Sequence, residues 1–444
     1  MHETRLLDVA LHFLPVRMRT PLKFGDQVLT EVTCARVRVR LSVDGKEADG
    51  WGETPLSVGW LWPSKLDYEF RHEQLKTMCR TIAAALPGLN LAGHPMDMGH
   101  RLLEQHLPVW RDELDMPYLA ALGCLSAFDL AMHDAFGVAL GVLTFSTFSA
   151  EHMPNDLACY LGPGFEGQFP SDFLVQPPRT LPVWHLVGGL DPLTRDDLNG
   201  SEPDDEYPVL LADWIRRDGL TCLKIKLRGN DAAWDYQRLV QIDTIGAPLG
   251  VEHLTADFNC TVTDPAYVND LLDRLLVEHP HTHARVLYVE QPFPHELEEH
   301  PIDVHSVSER KMLFMDESAH DWRIVRRGHE LGWNGVALKV CKTLTGALLS
   351  LCWAKSNGLH LMVQDLTNPM LSLVPHVELA AHAGTIMGVE CNGMQFYPAA
   401  SLPEEAVHPG LFRRRDGVVD RSTIGPTGLG YRVDEIVRTL PRAE

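Results

Sequence analysis

Two lysines, Lys224 and Lys226, stand two residues apart in the stretch TCLKIKLRG (221–229), where they alternate with Leu223, Ile225 and Leu227. Strand side chains two apart share a face, so both ammonium groups project the same way with Cα atoms roughly 6.5 Å apart. Like charges so placed repel, and an apolar strand is a poor setting for snorkelling surface lysines. Three carboxylates close similar apolar runs: Asp257 in TADFNC, Glu290 in LYVEQP and Asp316 in LFMDES. Another lysine, Lys339, closes VALKVCKT, with Lys342 three residues on and expected to point elsewhere. Three converging oxygen ligands with room for water suit Mg²⁺, which prefers octahedral oxygen coordination. Each acid alone also fits an N-cap just beyond its strand. Three in register at strand ends favour a metal. Beside a divalent cation and beside each other, Lys224 and Lys226 are expected to have lowered pKa values. A neutral lysine is a general base.

For these groups to meet, the chain must bring several strand ends to one rim. From about residue 155, short apolar runs alternate with helical stretches. The runs end near Tyr160, Lys226, Asp257, Glu290, Asp316, Lys339, Asp365 and Glu390, and from Lys226 onward they lie 23 to 33 residues apart. Eight strands at that spacing predict an α/β fold of the (β/α)8 barrel type over residues 146–400, with polar residues at the C-terminal strand ends, where barrels carry their chemistry. The gap after Tyr160 is anomalous. Residues 163–208 hold eight prolines and several acids, and are expected to form an insertion after the first barrel strand. It would cover the barrel mouth or an oligomer contact; disorder is the alternative, against which Phe165, Phe169, Phe173, Trp184 and Leu186 offer something to pack. Residues 1–145 predict a small α+β domain, with a hairpin over 31–53 turning at Asp44-Gly45 and helices around 66–86, 95–106 and 118–141. The histidines of EHPHTHAR (278–285) fall on the N-terminal side of the barrel and are expected in a solvated loop.

Composition bounds the partners. The chain has 444 residues, 45% hydrophobic and 22% charged, with a formal net charge of −21. That suits two or three domains with a large core and argues against a nucleic-acid partner, which needs clustered basic residues. The run Arg413, Arg414, Arg415 is short and is expected in a solvated turn. Nine cysteines without a CxxC pair suggest reduced, buried thiols and a cytoplasmic protein. The first residues, MHETRLLDVALHFLPVRM, carry acids and lack the clean apolar core of a secretory signal. No apolar run reaches the roughly 18 residues of a membrane helix, so no membrane partner is expected.

Taken together, CLKIKL, DFN, VEQP, DES and ALKVCKT resemble, in order, motifs of the enolase superfamily, in its muconate-lactonizing-enzyme branch. LSAFDLAMHDAFG resembles the helix before that barrel, and GPTGLGYRVDE the segment that returns to the capping domain. The resemblance covers most of the chain. It implies an N-terminal α+β capping domain (1–145), a modified barrel (146–400) and a C-terminal segment (401–444) that completes the cap. It implies Asp257, Glu290 and Asp316 as ligands of Mg²⁺, and Lys226 and Lys339 as an acid/base pair on opposite faces of the substrate. Lys224 would polarise the substrate carboxylate and lower the pKa of Lys226. The shared step would be removal of the proton α to a carboxylate, giving an enediolate stabilised by metal and lysines. A lysine or histidine base working beside Mg²⁺ is the general pattern of enolase-superfamily sites.

Departures from the family narrow the reaction. The mandelate-racemase branch would carry a seventh-strand histidine base, but HLMVQDLT ends in Gln364 and Asp365, with His360 at the wrong end. Dipeptide epimerases tend to carry a DxD pair at the eighth strand, where GVECNGM has Glu390 and Asn392. Glu390 would bind a substrate ammonium or pair with a lysine of the site. Asn259, Asp365, Asn392 and, on the capping loop RTPLKFGD (19–26), Lys23 and Phe24 are further candidate substrate contacts, a plain hairpin turn being the alternative for the last two. The expected function is a racemase or epimerase of an amino-acid or dipeptide derivative, acting on a small-molecule carboxylate, in a homo-oligomer. Alternatives are a cycloisomerase, an o-succinylbenzoate-synthase-type β-elimination, or a non-catalytic barrel that binds or scaffolds.

Overall fold

The computed structural model describes residues 2–24 and 27–444; the side chains of Phe24 and Gln27 fall outside it, and with them the expected contact through Phe24. The capping domain opens with three antiparallel strands, β1 (Thr4–Phe24), β2 (Gln27–Val43) and β3 (Lys46–Pro55), paired in that order. The β2–β3 turn falls at Asp44-Gly45, both at positive φ (52° and 80°), the geometry that matches the twist of a hairpin. Helices Tyr68–Ala85, Pro95–Arg101 and Tyr118–Leu140 follow where periodicity placed them. Tyr118–Leu140 is long and apolar enough to cross a membrane, contrary to the expectation that no segment would be, but it is buried in the cap. Its face against β3 meets backbone: a Cβ on Gly50 would lie 2.0 Å from Ala135 N, and one on Gly52 2.0 Å from Ala127 O.

The barrel strands are β4 (Thr180–Val187), β5 (Cys222–Lys226), β6 (His253–Asp257), β7 (Val286–Glu290), β8 (Met312–Met315), β9 (Gly335–Leu338), β10 (His360–Val363) and β11 (Val389–Glu390). All are parallel, in the spatial order β10-β9-β8-β7-β6-β5-β4-β11. Ile386 N donates to Leu361 O at 2.9 Å, drawing the chain before β11 toward β10 and nearly closing the ring. An added strand, β12 (Val418–Asp420), pairs antiparallel with β4. Alternation decides the contents of the lumen. Leu223 and Ile225 face the helices and join the main core. Cys222 faces inward, packing with Trp184, Tyr288, Phe314 and Met362 in an apolar floor.

The first barrel strand is not the run ending at Tyr160. Tyr160 lies in a one-turn helix, Ala158–Leu161, and its hydroxyl donates to Asp97. The strand is TLPVWHLV, inside the stretch expected to be an insertion. Prolines in and before it disguise it in sequence. Pro182 is tolerated because it sits near the strand's start, ahead of the ladder with β5, which begins at Trp184. Only residues 188–210 are therefore a long loop after the first strand. Leu193 and the adjoining Leu211 anchor them in the main core. The C-terminal segment returns to the cap: Gly428 O accepts from Thr144 N (2.7 Å), and Glu444 N donates to Leu11 O (2.9 Å). His279, His281 and His283 fall at a short helix, Pro280–Arg285, rather than a loop, with His279 and His281 exposed.

Candidate active site

Lys224 and Lys226 follow Cys222 on the inward face of β5, above the apolar floor, and both are buried. Asp257 relieves their proximity: its Oδ2 lies 3.1 Å from Lys224 Nζ and 2.5 Å from Lys226 Nζ. Lys224 Nζ also donates to Glu290 Oε1 (2.6 Å), Gln364 Oε1 (2.8 Å) and Glu390 Oε2 (3.1 Å). Lys339, at the end of β9, donates to Asp365 O (2.8 Å) and lies 3.1 Å from Asp316 Oδ2. β5 and β9 are four strands apart around a ring of eight, so Lys226 and Lys339 enter from opposite walls.

The expected lowering of the Lys224 pKa is reversed. Burial alone lowers it, but Glu290, Glu390, Asp257 and Asp316 together raise it well above the ordinary range. Lys339 is likewise raised: burial opposes the charge, and Asp316 together with Glu390 and Cys341 outweighs it. Burial raises Asp257, and the two lysines more than reverse that, holding it far below the usual carboxylate range. At Lys224 and Lys339 the acids, not the neighbouring lysine, decide the direction.

Lys342 does not point elsewhere. It is buried, donates to Asp316 O, and its Nζ stands 3.6 Å from Asp316 Oδ1. The tight turn Val340–Lys342 folds it back beside Lys339. Trp60, in the cap, roofs both lysines, its ring centroid 4.7 Å from Lys339 Nζ and 5.6 Å from Lys342 Nζ. Its Nε1 donates to Glu317 Oε1 (3.1 Å), which also accepts from Asn259 Nδ2 (2.9 Å). Sequence reasoning does not pick out Trp60, Glu317 or Gln364 as site residues. Glu317 adjoins a chosen acid and Gln364 a chosen strand end; nothing local marks Trp60, since its role depends on docking between domains. Asp129 of the helix Tyr118–Leu140 helps set that docking, accepting from Thr345 N (3.0 Å) and Thr345 Oγ1 (2.7 Å) at the start of the helix after β9.

Three of the other expected contacts, Asp365, Glu390 and Asn392, are built into the wall. Glu390 pairs with Lys224, and its Oε1 accepts from Asn392 Nδ2 (2.5 Å). Asn392 Oδ1 accepts from Leu186 N (3.0 Å). Asp365 accepts from Asn368 N (2.8 Å) and Asn392 N (2.6 Å). Lys23 lies opposite Val28 near the tip of the first hairpin. The space left among Trp60, Lys226, Asp316, Lys339 and Glu390 is about 10 Å³, on the order of one water position.

Among the described residues, no three carboxylate, thiol or imidazole side chains form a ready cage for a metal. Lysine ammoniums stand between the acids. The donor set nonetheless fits a hard divalent cation. Asp257 Oδ2 and Glu290 Oε1 lie 3.1 and 2.6 Å from one Nζ, so they are at most 5.7 Å apart, the sum of the two. Among the described residues, Glu290 Oε2 and Asp316 Oδ1 are buried without a hydrogen-bond partner, a costly state that a cation relieves.

Against known proteins, the family described as Enolase C-terminal domain-like matches residues 207–437. No curated protein matches the chain significantly. Among solved structures, the L-Ala-D/L-Glu epimerase from Bacillus subtilis is similar over 99% of both chains, with TM-score 0.64 and 16% identity. The dipeptide epimerase from Cytophaga hutchinsonii, complexed with Mg and the dipeptide D-Ala-L-Val, aligns over 97% of both chains, with TM-score 0.66 and 16% identity. A mandelate racemase/muconate lactonizing protein from Herpetosiphon aurantiacus aligns over 96% of this chain and 98% of its own, with TM-score 0.63 and 18% identity.

Proposed function

The chain belongs to the enolase superfamily, in its mandelate racemase/muconate lactonizing enzyme branch, and from that premise we propose that it removes and returns the proton α to the carboxylate of a small molecule. The observation that carries this reading is the entry of Lys226 and Lys339 into one small cavity from opposite walls. A base on each side allows a proton to leave one face of a carbon and return on the other, which is racemisation or epimerisation. Asp257, Glu290 and Asp316 would hold Mg²⁺. When bound, that ion supplies positive charge to a substrate carboxylate whose negative charge grows as the proton leaves. Lys224 fixes Asp257 and Glu290 and adds positive charge beneath the substrate. Trp60 excludes water above Lys339, and the apolar floor excludes it below.

Glu390 is committed to Lys224 and Asn392. A free substrate ammonium would have to displace one of them. This favours an acylated amino-acid derivative, and it supports a second reading: β-elimination or cycloisomerisation of a carboxylate without an amine.

The test is solvent exchange. The protein is incubated with Mg²⁺ in D₂O and a panel of N-acyl amino acids, dipeptides and hydroxy acids. Deuterium is expected at the α-carbon of one class, and chelation of the metal should stop it. Lys226→Ala and Lys339→Ala should each abolish exchange from at least one enantiomer. Exchange of both enantiomers by Lys339→Ala would overturn the two-base mechanism.

A further inference from the structure

Outside the barrel, beside the helix Leu211–Asp218, lies a cavity of about 370 Å³ whose wall includes Arg217, Arg413, Arg414 and Arg415. Of the three arginines expected in a solvated turn, Arg413 and Arg415 are exposed, but Arg414 is not. Arg414 is fully buried; its Nη2 lies 2.8 Å from Asp218 Oδ2, and its Nη1 donates to Cys391 O (3.1 Å). Arg415 Nη1 donates to the other oxygen of the same carboxylate, Asp218 Oδ1, at 3.2 Å. Arg217 Nε is 3.9 Å from that oxygen. One carboxylate thus faces three guanidiniums. Arg413 pairs with Glu405. Counting the exposed Glu206 at the rim, the wall carries four positive and three negative charges, on a chain whose net charge is −21.

Packing stacks this charge rather than dispersing it. The Arg217 guanidinium lies 4.6 Å from the Tyr207 ring and 5.6 Å from that of Trp214, and Arg414 lies 5.4 Å from Trp214. Arg217 Nη1 is buried with no hydrogen-bond partner among the described residues. Stacked guanidiniums lose side-chain freedom before any ligand arrives, which lowers the entropy cost of binding. Tyr207 is itself anchored, its carbonyl accepting from Arg19 Nη2 at 2.8 Å.

We propose that this cavity is a binding site for a phosphate group, free or carried on a small metabolite, separate from the barrel mouth. Guanidiniums from two segments surround a space larger than a carboxylate needs, and a tetrahedral oxyanion offers acceptors to several forks at once.

Binding is measured directly, by equilibrium dialysis and calorimetry on the full chain at low ionic strength, so the result does not depend on the reaction assigned above. Inorganic phosphate and glycerol phosphate are the probes, with succinate for comparison. One saturable site per chain is expected for at least one phosphate probe; which of the two binds tighter distinguishes the free ion from the ester. Arg217→Gln and Arg413→Gln, both partly exposed and expected to fold, should each weaken binding by about tenfold, the loss of one charge-assisted contact. Arg326→Gln, elsewhere on the surface, should leave it unchanged. Retention of neither phosphate probe would overturn the assignment. So would equal binding by wild type and both cavity variants, or saturable binding of succinate alone.

Discussion

Asp257 shows how the site tolerates two adjacent buried ammonium groups: one carboxylate oxygen serves both Lys224 and Lys226. Removing one partner from such a cluster leaves an uncompensated buried charge, so substitutions here act on charge balance before they act on shape. Trp60 is the instructive side chain. It offers a π face to Lys339 and Lys342 and a donor to Glu317. The two roles separate by substitution. Trp60→Phe keeps the face and loses the donor; Trp60→Leu loses both. Loss of a desolvated cation–π contact is expected to slow α-proton exchange about tenfold in Trp60→Leu, with Trp60→Phe intermediate. Equal rates in wild type and Trp60→Leu would reduce Trp60 to a packing residue.

Among the elements, the helix Tyr118–Leu140 does most to join cap and barrel. It lies so close to β3 that Gly50 and Gly52 are the contact surface, and it reaches the barrel through Asp129 and Thr345. Gly50→Ala must push the helix off the sheet or distort both, at about 1–3 kcal/mol of stability by the usual cost of overpacking. Gly88→Ala, where none of the described residues lies within 4 Å of the added Cβ, is expected to stay within about 0.5 kcal/mol of wild type. Urea denaturation of the two variants makes the comparison; equal midpoints would mean that the helix–sheet contact yields freely.

For the molecule as a whole, the loop 188–210 links the barrel to the cap. Arg19, on β1, grips Asp205 through Nε (2.7 Å) and Nη2 (2.9 Å). Together the loop and β1 enclose a cleft of about 350 Å³ between them. The Arg19 side chain is 7% exposed and that of Asp205 36%, so the pair is only partly screened and contributes on the order of 1 kcal/mol. Arg19→Gln should therefore speed amide hydrogen exchange in 188–210 about fivefold while leaving β6 and β7 protected. Unchanged exchange in the loop would show that its own apolar anchors, Leu193 and Leu211, suffice to hold it.

Much of this protein was legible in the chain alone. Seven of the eight strand ends could be read because each closes an apolar run with a polar residue, and the period-2 alternation at β5 already implied that Lys224 and Lys226 share a face. Those features are local, set by backbone geometry and side-chain polarity within a few residues. The first barrel strand escapes such a reading because prolines mark its surroundings as loop. What the tertiary structure alone decided were relations between distant segments. The helix Tyr118–Leu140 has membrane-helix composition but is buried in the cap, since composition does not say what covers an apolar surface. Lys342 joined Lys339 through a tight turn. Arg414 became a buried charge because Asp218, 196 residues away in sequence, folds against it. The Lys224 pKa reversed direction for the same reason: it depends on the sum of four carboxylates from four other strand ends, and a Coulomb sum over distances does not exist until the chain has folded.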